Sequence, residues 1–171
     1  MGARTVGFFG GGSMVGLGPA SDMQLFFDCI DAHAVARRPR ADWALVTDRL
    51  YRRYVRLEDV GVTRELLGII QEEFSRTPVA EVDWNGRARA GKPSALNPKM
   101  QNLGQVFARY IASFHEVAEE SVLAWESAKS EPGYSFQAPR VCLADLAATI
   151  EEQDRPLAEY DSLEGPPLWQ R

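Results

Sequence analysis

The glycine-rich stretch GFFGGGSMVGLG near the N-terminus has the residue types of a phosphate-binding or catalytic loop. A dinucleotide-binding turn needs G-x-G-x-x-G, and Gly10 and Gly12 fill the first two places, but Val15 stands where the third glycine is required. The P-loop pattern fails for lack of a lysine, and the nucleophile elbow G-x-S-x-G fails at Val15 as well. The sequence therefore favours a β-hairpin, with strands at 4–9 and 14–17 joined by a glycine turn, over a phosphate loop.

The titratable side chains form no recognisable catalytic or metal-binding set. His33 and His115 each lie in a helical pattern without a second ligand three or four residues away, which predicts structural histidines rather than metal ligands. Adjacent acids such as Glu72 and Glu73 point in different directions from a helix, which is typical of solvated surface. The sequence thus predicts no enzyme activity, no cofactor and no metal. A catalytic triad whose members are distant in sequence stays open.

Length and charge restrict the class of protein. With 171 residues, of which 45% are hydrophobic, the chain is expected to form one domain, 1–171, with a substantial core. A net charge of −5 argues against nucleic-acid binding and suits a basic partner. Cys29 and Cys142 are far apart in apolar surroundings, which predicts buried, reduced thiols. Because nothing resembles a signal peptide and no apolar run approaches ~20 residues, we expect a cytoplasmic protein without membrane association.

Helical periodicity runs through the middle of the chain. Four helices are predicted, with Ser21, Asp42 and Thr63 as the N-caps of the first three and Asn97-Pro98 at the start of the fourth. The second of these helices covers 43–60. In the fourth, the apolar positions keep helical spacing for about six turns, which predicts the spine of the core. From Leu103 onward these positions are Val106, Phe107, Tyr110, Ile111, Phe114 and Val117, continued by Val122 and Trp125.

Strand patterns lie mainly at the two ends of the chain. The segment RVCLADL, 140–146, is expected to join the N-terminal hairpin, and VAEVDW, 79–84, is predicted to be a short strand. Strands at both ends with helices between them predict an α+β fold that is mostly helical, with a small sheet built from an N-terminal hairpin and a C-terminal strand.

Two polar segments combine charge with aromatic residues. RLYRRYVRLEDV packs four arginines and two tyrosines into eight residues before Glu58 and Asp59, and IEEQDRPLAEYDSLEGPPLW carries many carboxylates with Tyr160 and Trp169. Solvated helix faces are one interpretation of both segments. A protein interface to a basic partner is the other, because such interfaces use aromatic anchors within a charged rim. The candidate binding residues are Glu58, Asp59, Glu151, Glu152, Asp154 and Asp161.

These same segments carry a resemblance. DRLYRRYVRLEDV, IIQEEFSRTP, VDW and the closing RPLAEYDSLEGPPLW, together with the opening GFFGG and VGLGP, resemble a family of bacterial immunity proteins of contact-dependent growth inhibition and related polymorphic toxin systems. The resemblance spans nearly the whole chain and rests on ordered segments rather than on a catalytic motif. The loop 85–94 looks individual to this sequence.

The resemblance implies a stoichiometric inhibitor that acts in the cytoplasm. It would bind the C-terminal toxin domain delivered by a neighbouring cell, often a nuclease and more often a ribonuclease than a deoxyribonuclease, and block its active site or substrate groove. The acidic balance agrees with this, because a nuclease cleft is positive where it holds phosphates. The alternative is a small nucleotide-binding protein or enzyme that uses the N-terminal glycine loop.

Overall fold

A four-stranded antiparallel sheet forms one layer of the protein. The computed structural model describes residues 5–84, 92–94, 96–133, 140–148 and 163–170. Within these ranges the strands are β1 (Val6–Gly10), β2 (Ser13–Gly18), β3 (Tyr54–Arg56) and β4 (Arg140–Asp145), in the spatial order β2-β1-β4-β3. The predicted pairing of the C-terminal strand with the hairpin is confirmed, since Phe8 lies opposite Leu143.

Helices cover the sheet and supply most of the described regular structure. They are α1 (Ala20–Ile30), α2 (Val60–Ser75), α3 (Leu103–Val106) and α4 (Ala108–Ala128). A π-helical turn, Asp31–Val35, extends α1, and a second one occupies Leu45–Leu50 after a 3-10 turn at Ala41–Trp43. Further 3-10 turns lie at Leu57–Asp59, Val79–Glu81, Leu146–Ala148 and Leu168–Gln170. The predicted α+β class is confirmed.

Most helices begin at residues other than those predicted. The first begins at Ala20, directly after Pro19, so Ser21 is not its N-cap. Thr63 lies inside α2, where its hydroxyl donates to the carbonyl of Asp59 at 2.8 Å. The fourth helix begins not at Asn97-Pro98 but after Asn102, whose side chain accepts a hydrogen bond from the backbone of Gln105 in a capping box. Two donors that a helix start leaves unsatisfied are bound in this way, which fixes the start.

The predicted helix 43–60 is wrong in its second half, and so is the predicted capping by Asp42. The chain leaves the helical path after the π-helical turn and pairs as β3 with β4, so that Tyr54 lies opposite Cys142 and Val55 opposite Val141. Tyrosine and valine both favour strands, and both side chains are buried in the resulting sheet. Leu50 and Tyr54 are both buried, and a strand rather than a helix places Tyr54 in the interior.

The predicted strand 79–84 is also wrong. A 3-10 turn occupies Val79–Glu81, and the only ladder contact in this described region is a single bridge between Pro78 and Asn102. Proline lacks a backbone N–H, so Pro78 cannot donate to a longer ladder.

The N-terminal glycines build a tight hairpin that packs on α4. Gly11 and Gly12 have φ values of 55° and 87°, as a type I′ turn requires. A Cβ atom at Gly10 would lie 2.5 Å from the carbonyl oxygen of Arg140, and one at Gly11 would lie 2.6 Å from Cα of Ser121. The hairpin prediction is confirmed, and close packing of the turn accounts for these glycines.

An aromatic cluster joins the helices to the sheet. The ring of Phe26 lies 5.3 Å from that of Phe107 and 6.2 Å from that of Phe74, while Phe8 on β1 contacts Phe114 on α4 edge-to-face at 5.5 Å. The predicted core positions of the long helix from Leu103 to Val117 are buried, whereas Val122 and Trp125 are half-buried. That helix therefore is the spine of the core, although the chain bends at Phe107 between α3 and α4.

One acidic residue of α2 departs from the solvated pair that we predicted. Glu73 is buried, whereas its neighbour Glu72 is half exposed. The carboxylate of Glu73 lies 3.3 Å from a guanidinium nitrogen of Arg76, 3.7 Å from Arg38 and 3.8 Å from Arg37. Three cations compensate the desolvation of one carboxylate, so this cluster ties the end of α1 to α2 and has a structural role.

Both thiols are expected to resist modification in the folded protein. Cys29 and Cys142 are both buried and form no disulfide with each other. Burial, with a smaller contribution from the Asp28 carboxylate, raises the pKa of Cys29 to about 12, so its reactive thiolate is scarce at neutral pH. A thiol-reactive dye should therefore label neither cysteine until denaturant is added and then label both. Rapid labelling of either one in native buffer would contradict the buried placement.

Candidate functional site

The structure describes two of the six candidate binding residues. Glu58 and Asp59 lie in the 3-10 turn Leu57–Asp59, which connects β3 to α2. The side chain of Glu58 is 72% exposed, and its carboxylate lies 3.9 Å from a guanidinium nitrogen of Arg56. Glu151, Glu152, Asp154 and Asp161 lie outside the described residues. The part these four acids play in binding therefore stays a prediction. Glu58 is an exposed carboxylate, as a binding residue requires.

A groove of about 420 Å³ adjoins Glu58 and Asp59. It runs beside β3, the edge strand of the sheet, and its lining residues are Leu45, Arg49, Tyr54, Val55, Arg56, Glu58 and Asp59. Arg140 lies over the ring of Tyr54, with its guanidinium carbon 5.2 Å from the ring centroid, so this aromatic wall is held in place by a cation–π contact.

The lining of the groove is charged and partly aromatic. Two arginines and two carboxylates surround the ring of Tyr54. Charged groups of both signs beside an aromatic residue suit recognition of a polar protein surface. The sequence pattern indicated the acids but not Arg49 or Tyr54 as their neighbours, because β3 was predicted to be helical.

Two arginines of the arginine-rich segment bind the C-terminal segment of the chain. Arg53 is buried, and its guanidinium donates to the carbonyl of Pro166 at 3.0 Å and to that of Glu164. Arg52 donates to the carbonyl of Gly165, also at 3.0 Å. We call these contacts the arginine clasp. They satisfy backbone acceptors of the C-terminal segment 163–170, so these two arginines have a structural function rather than one on a solvated helix face.

Trp169 is not a surface anchor, which corrects the interpretation of the C-terminal aromatic residues as interface contacts. It is only 3% exposed, and its ring stacks on Phe27 at 6.4 Å and meets Tyr51 edge-to-face at 5.6 Å. Its indole N–H donates to the carbonyl of Tyr51 at 2.8 Å. The tryptophan was misassigned because its packing partners lie far away in the sequence. The other aromatic candidate, Tyr160, lies outside the described residues.

The two histidines are half-buried and adjoin arginines. Nδ1 of His115 accepts a hydrogen bond from Nε of Arg64 at 3.1 Å, and Nδ1 of His33 lies 3.5 Å from a guanidinium nitrogen of Arg37. Burial, followed by repulsion from these arginines, lowers the pKa of both imidazoles, although Glu81 opposes the shift at His33. Both rings therefore favour the neutral form and stabilise helix contacts, as structural histidines do.

Acidification should therefore destabilise the fold through these histidines. The unfolded chain binds protons near the ordinary pKa of 6.5, while the folded chain resists protonation to lower pH, so the free energy of unfolding falls as the pH drops below 6.5. Replacement of both residues by glutamine should reduce this pH dependence between about pH 7 and about pH 5 in denaturant titrations. Equal slopes for the wild-type protein and the His33→Gln/His115→Gln variant would contradict the assignment.

The described residues contain no group of three or more histidine, cysteine, aspartate or glutamate side chains placed to hold a metal ion. In the same part of the chain, no helix combines the length and the apolar character that crossing a bilayer requires. Compared with family models, with curated proteins and with solved structures, the chain gives no match.

Proposed function

We propose that the chain is an immunity protein, which binds a cognate toxin domain stoichiometrically in the cytoplasm and neutralises it without catalysis. The partner is the C-terminal domain of a contact-dependent growth inhibition toxin, with a cationic nuclease cleft and a ribonuclease favoured over a deoxyribonuclease. The proposal begins from the resemblance of the quoted segments to that family of immunity proteins.

One structural observation supports using that resemblance. Two of the quoted segments, DRLYRRY and EGPPLW, are far apart in the sequence but bind each other through the arginine clasp and through Trp169. Because the two segments pack against each other, their likeness to the family concerns one folded unit rather than two unrelated stretches of sequence. It also leaves recognition of the toxin to exposed side chains outside this interior unit, such as Glu58.

The inhibition follows from electrostatics and occlusion. A cleft that holds RNA or DNA phosphates is positive, and an acidic protein is drawn into that field with an association rate well above the ~10⁵–10⁶ M⁻¹s⁻¹ of uncharged pairs. Once seated, the inhibitor excludes the nucleic acid from the cleft. In this scheme Glu58 and Asp59, with the acids at 151, 152, 154 and 161, steer the encounter, and the groove beside β3 receives side chains of the toxin.

Charge reversal tests which acids steer the encounter. Glu151→Lys/Glu152→Lys/Asp154→Lys should slow association with the recombinant toxin domain, and Glu58→Lys/Asp59→Lys is the parallel variant for the groove. Because salt screens fields beyond ~8–10 Å, each defect should shrink as the salt concentration rises. An association rate equal to that of the wild-type protein at low salt would remove that cluster from the proposal.

The competing nucleotide-binding function has its own test. ATP or NAD that binds the folded chain at micromolar affinity would raise its melting temperature. The immunity proposal expects no shift with either nucleotide, and a reproducible shift would favour the competitor.

A further inference from the structure

The solvent-facing side of α4 is a charged surface with an apolar side chain in its middle. The helix is roughly 30 Å long, and its inner side packs on the sheet and on α2. On the outer side, Glu116, Glu119, Glu120 and Leu123 are all exposed. Their spacing of three or four residues places them on one side of the helix. We call these four residues the outer α4 face.

The three carboxylates of the outer α4 face have no cationic partner among the described residues. Neither Glu116, Glu119 nor Glu120 forms an ion pair with another residue in the part of the chain that the structure describes, while farther along the helix Lys129 pairs with Glu126 at 2.8 Å. Like charges three and four residues apart repel each other and destabilise a helix. The uncompensated charge therefore weakens the free protein and is available to a cationic partner.

Leu123 has no packing reason to occupy this position. It is 57% exposed, the highest exposure of any large apolar side chain among the described residues, and Glu119, Glu120 and Glu126 lie one turn away on either side. An apolar side chain within a charged rim is the usual arrangement of an interface anchor. Met14, 56% exposed, lies on β2, the strand that packs beside α4 and contacts it through Arg109 and the carbonyl of Gly16.

We propose that the outer α4 face docks on a cationic surface of the toxin domain, with Leu123 entering an apolar pocket within that surface. This inference rests on the proposed function and adds a second contact surface to it. The outer α4 face differs from the steering acids already named, because one helix carries both an apolar side chain and the carboxylates around it.

The negative charge of the outer α4 face determines which kind of partner can bind it. In a symmetric dimer the same patch faces itself, so a second copy would bring the three carboxylates against three others. Nucleic acid and anionic membranes carry negative charge and are repelled for the same reason. A protein surface rich in lysine and arginine is attracted, and its apolar pocket would remove Leu123 from water.

Binding kinetics separate the two components of the contact. The probe is the recombinant C-terminal domain encoded by the reading frame immediately upstream, immobilised and titrated with this chain. Glu116→Gln/Glu119→Gln/Glu120→Gln should slow association about tenfold at low salt, with the difference narrowing at high salt. Leu123→Ala should raise the dissociation rate about tenfold, as loss of an interface anchor does.

Val62→Ala is the matched control for Leu123→Ala. Val62 is 39% exposed on α2, and its truncation should change neither rate. All variants alter exposed positions. Leu123→Ala and Val62→Ala should keep the wild-type melting temperature, and the glutamine variant should melt no lower than the wild-type protein because it removes like-charge repulsion. Wild-type rates for both outer-face variants would overturn this inference and leave the proposed function standing. Failure of the wild-type chain to bind the toxin domain would overturn both, and a dimer of the free chain that Leu123→Ala disrupts would assign the face to a second copy instead.

Discussion

Phe114→Ala should cost about 3–5 kcal/mol of folding free energy, as large-to-small substitutions of buried aromatic residues do. Phe114 is fully buried on α4, and its ring meets that of Phe8 on β1 edge-to-face, so truncation opens a cavity where the helix packs on the sheet. Domains are commonly stable by only ~5–15 kcal/mol, so the loss threatens the fold. Phe107→Ala should behave similarly, because its ring contacts Phe26 and Phe74.

Denaturant titration measures this loss, and Leu123→Ala on the same helix is the control. Leu123 is exposed, so its truncation should change the free energy of unfolding by less than about 0.5 kcal/mol. Unfolding curves of Phe114→Ala that superimpose on those of the wild-type protein would show that this stripe of α4 is not the core.

Trp169→Ala should be comparably damaging, at about 3–5 kcal/mol. The substitution removes a buried ring that contacts both Phe27 and Tyr51 and leaves the carbonyl of Tyr51 without its indole donor. Without the packing of Trp169, the C-terminal segment 163–170 is held less firmly, although the contacts of the arginine clasp remain. It should therefore also become more susceptible to proteolysis. A surface anchor would give the opposite result, with unchanged stability and weakened partner binding.

Trp169→Phe isolates the hydrogen bond from the packing. Phenylalanine keeps an aromatic ring but has no N–H, so it should cost more than ~1 kcal/mol for the unpaired carbonyl and less than the alanine substitution. A melting temperature of Trp169→Ala equal to that of the wild-type protein would contradict the buried placement.

The parts of the fold that the sequence could predict depend on local patterns. A run of glycines between two short apolar stretches favours a hairpin turn from local sequence alone, and the apolar stripe of the long helix is too regular to fit a strand. Tyr54 escaped prediction because it fits helical spacing from Leu50 as well as it fits a strand. Pairing with β4, more than 80 residues later, decides between the two, and no local signal reports such a partner.

The candidate site was harder to predict for the same reason. A run of arginines looks like a solvated face until its partners are known, and the carbonyl that Arg53 binds lies 113 residues away. Trp169 looked like an exposed anchor because it follows a carboxylate-rich stretch of sequence, while its neighbours in space are Phe27 and Tyr51. Exposure of Glu58, in contrast, followed from local charge alone.

Calorimetric titration of the chain into the toxin domain encoded by the neighbouring reading frame tests the proposed immunity function most directly. We expect a one-to-one complex with a dissociation constant in the nanomolar range or below, on the order of 10⁻⁹ M, as for other tight inhibitors of enzymes. The same equivalence point should abolish the toxin's activity, with no turnover by the chain itself. Absence of binding at micromolar concentrations, or inhibition that needs a large molar excess, would contradict the proposal.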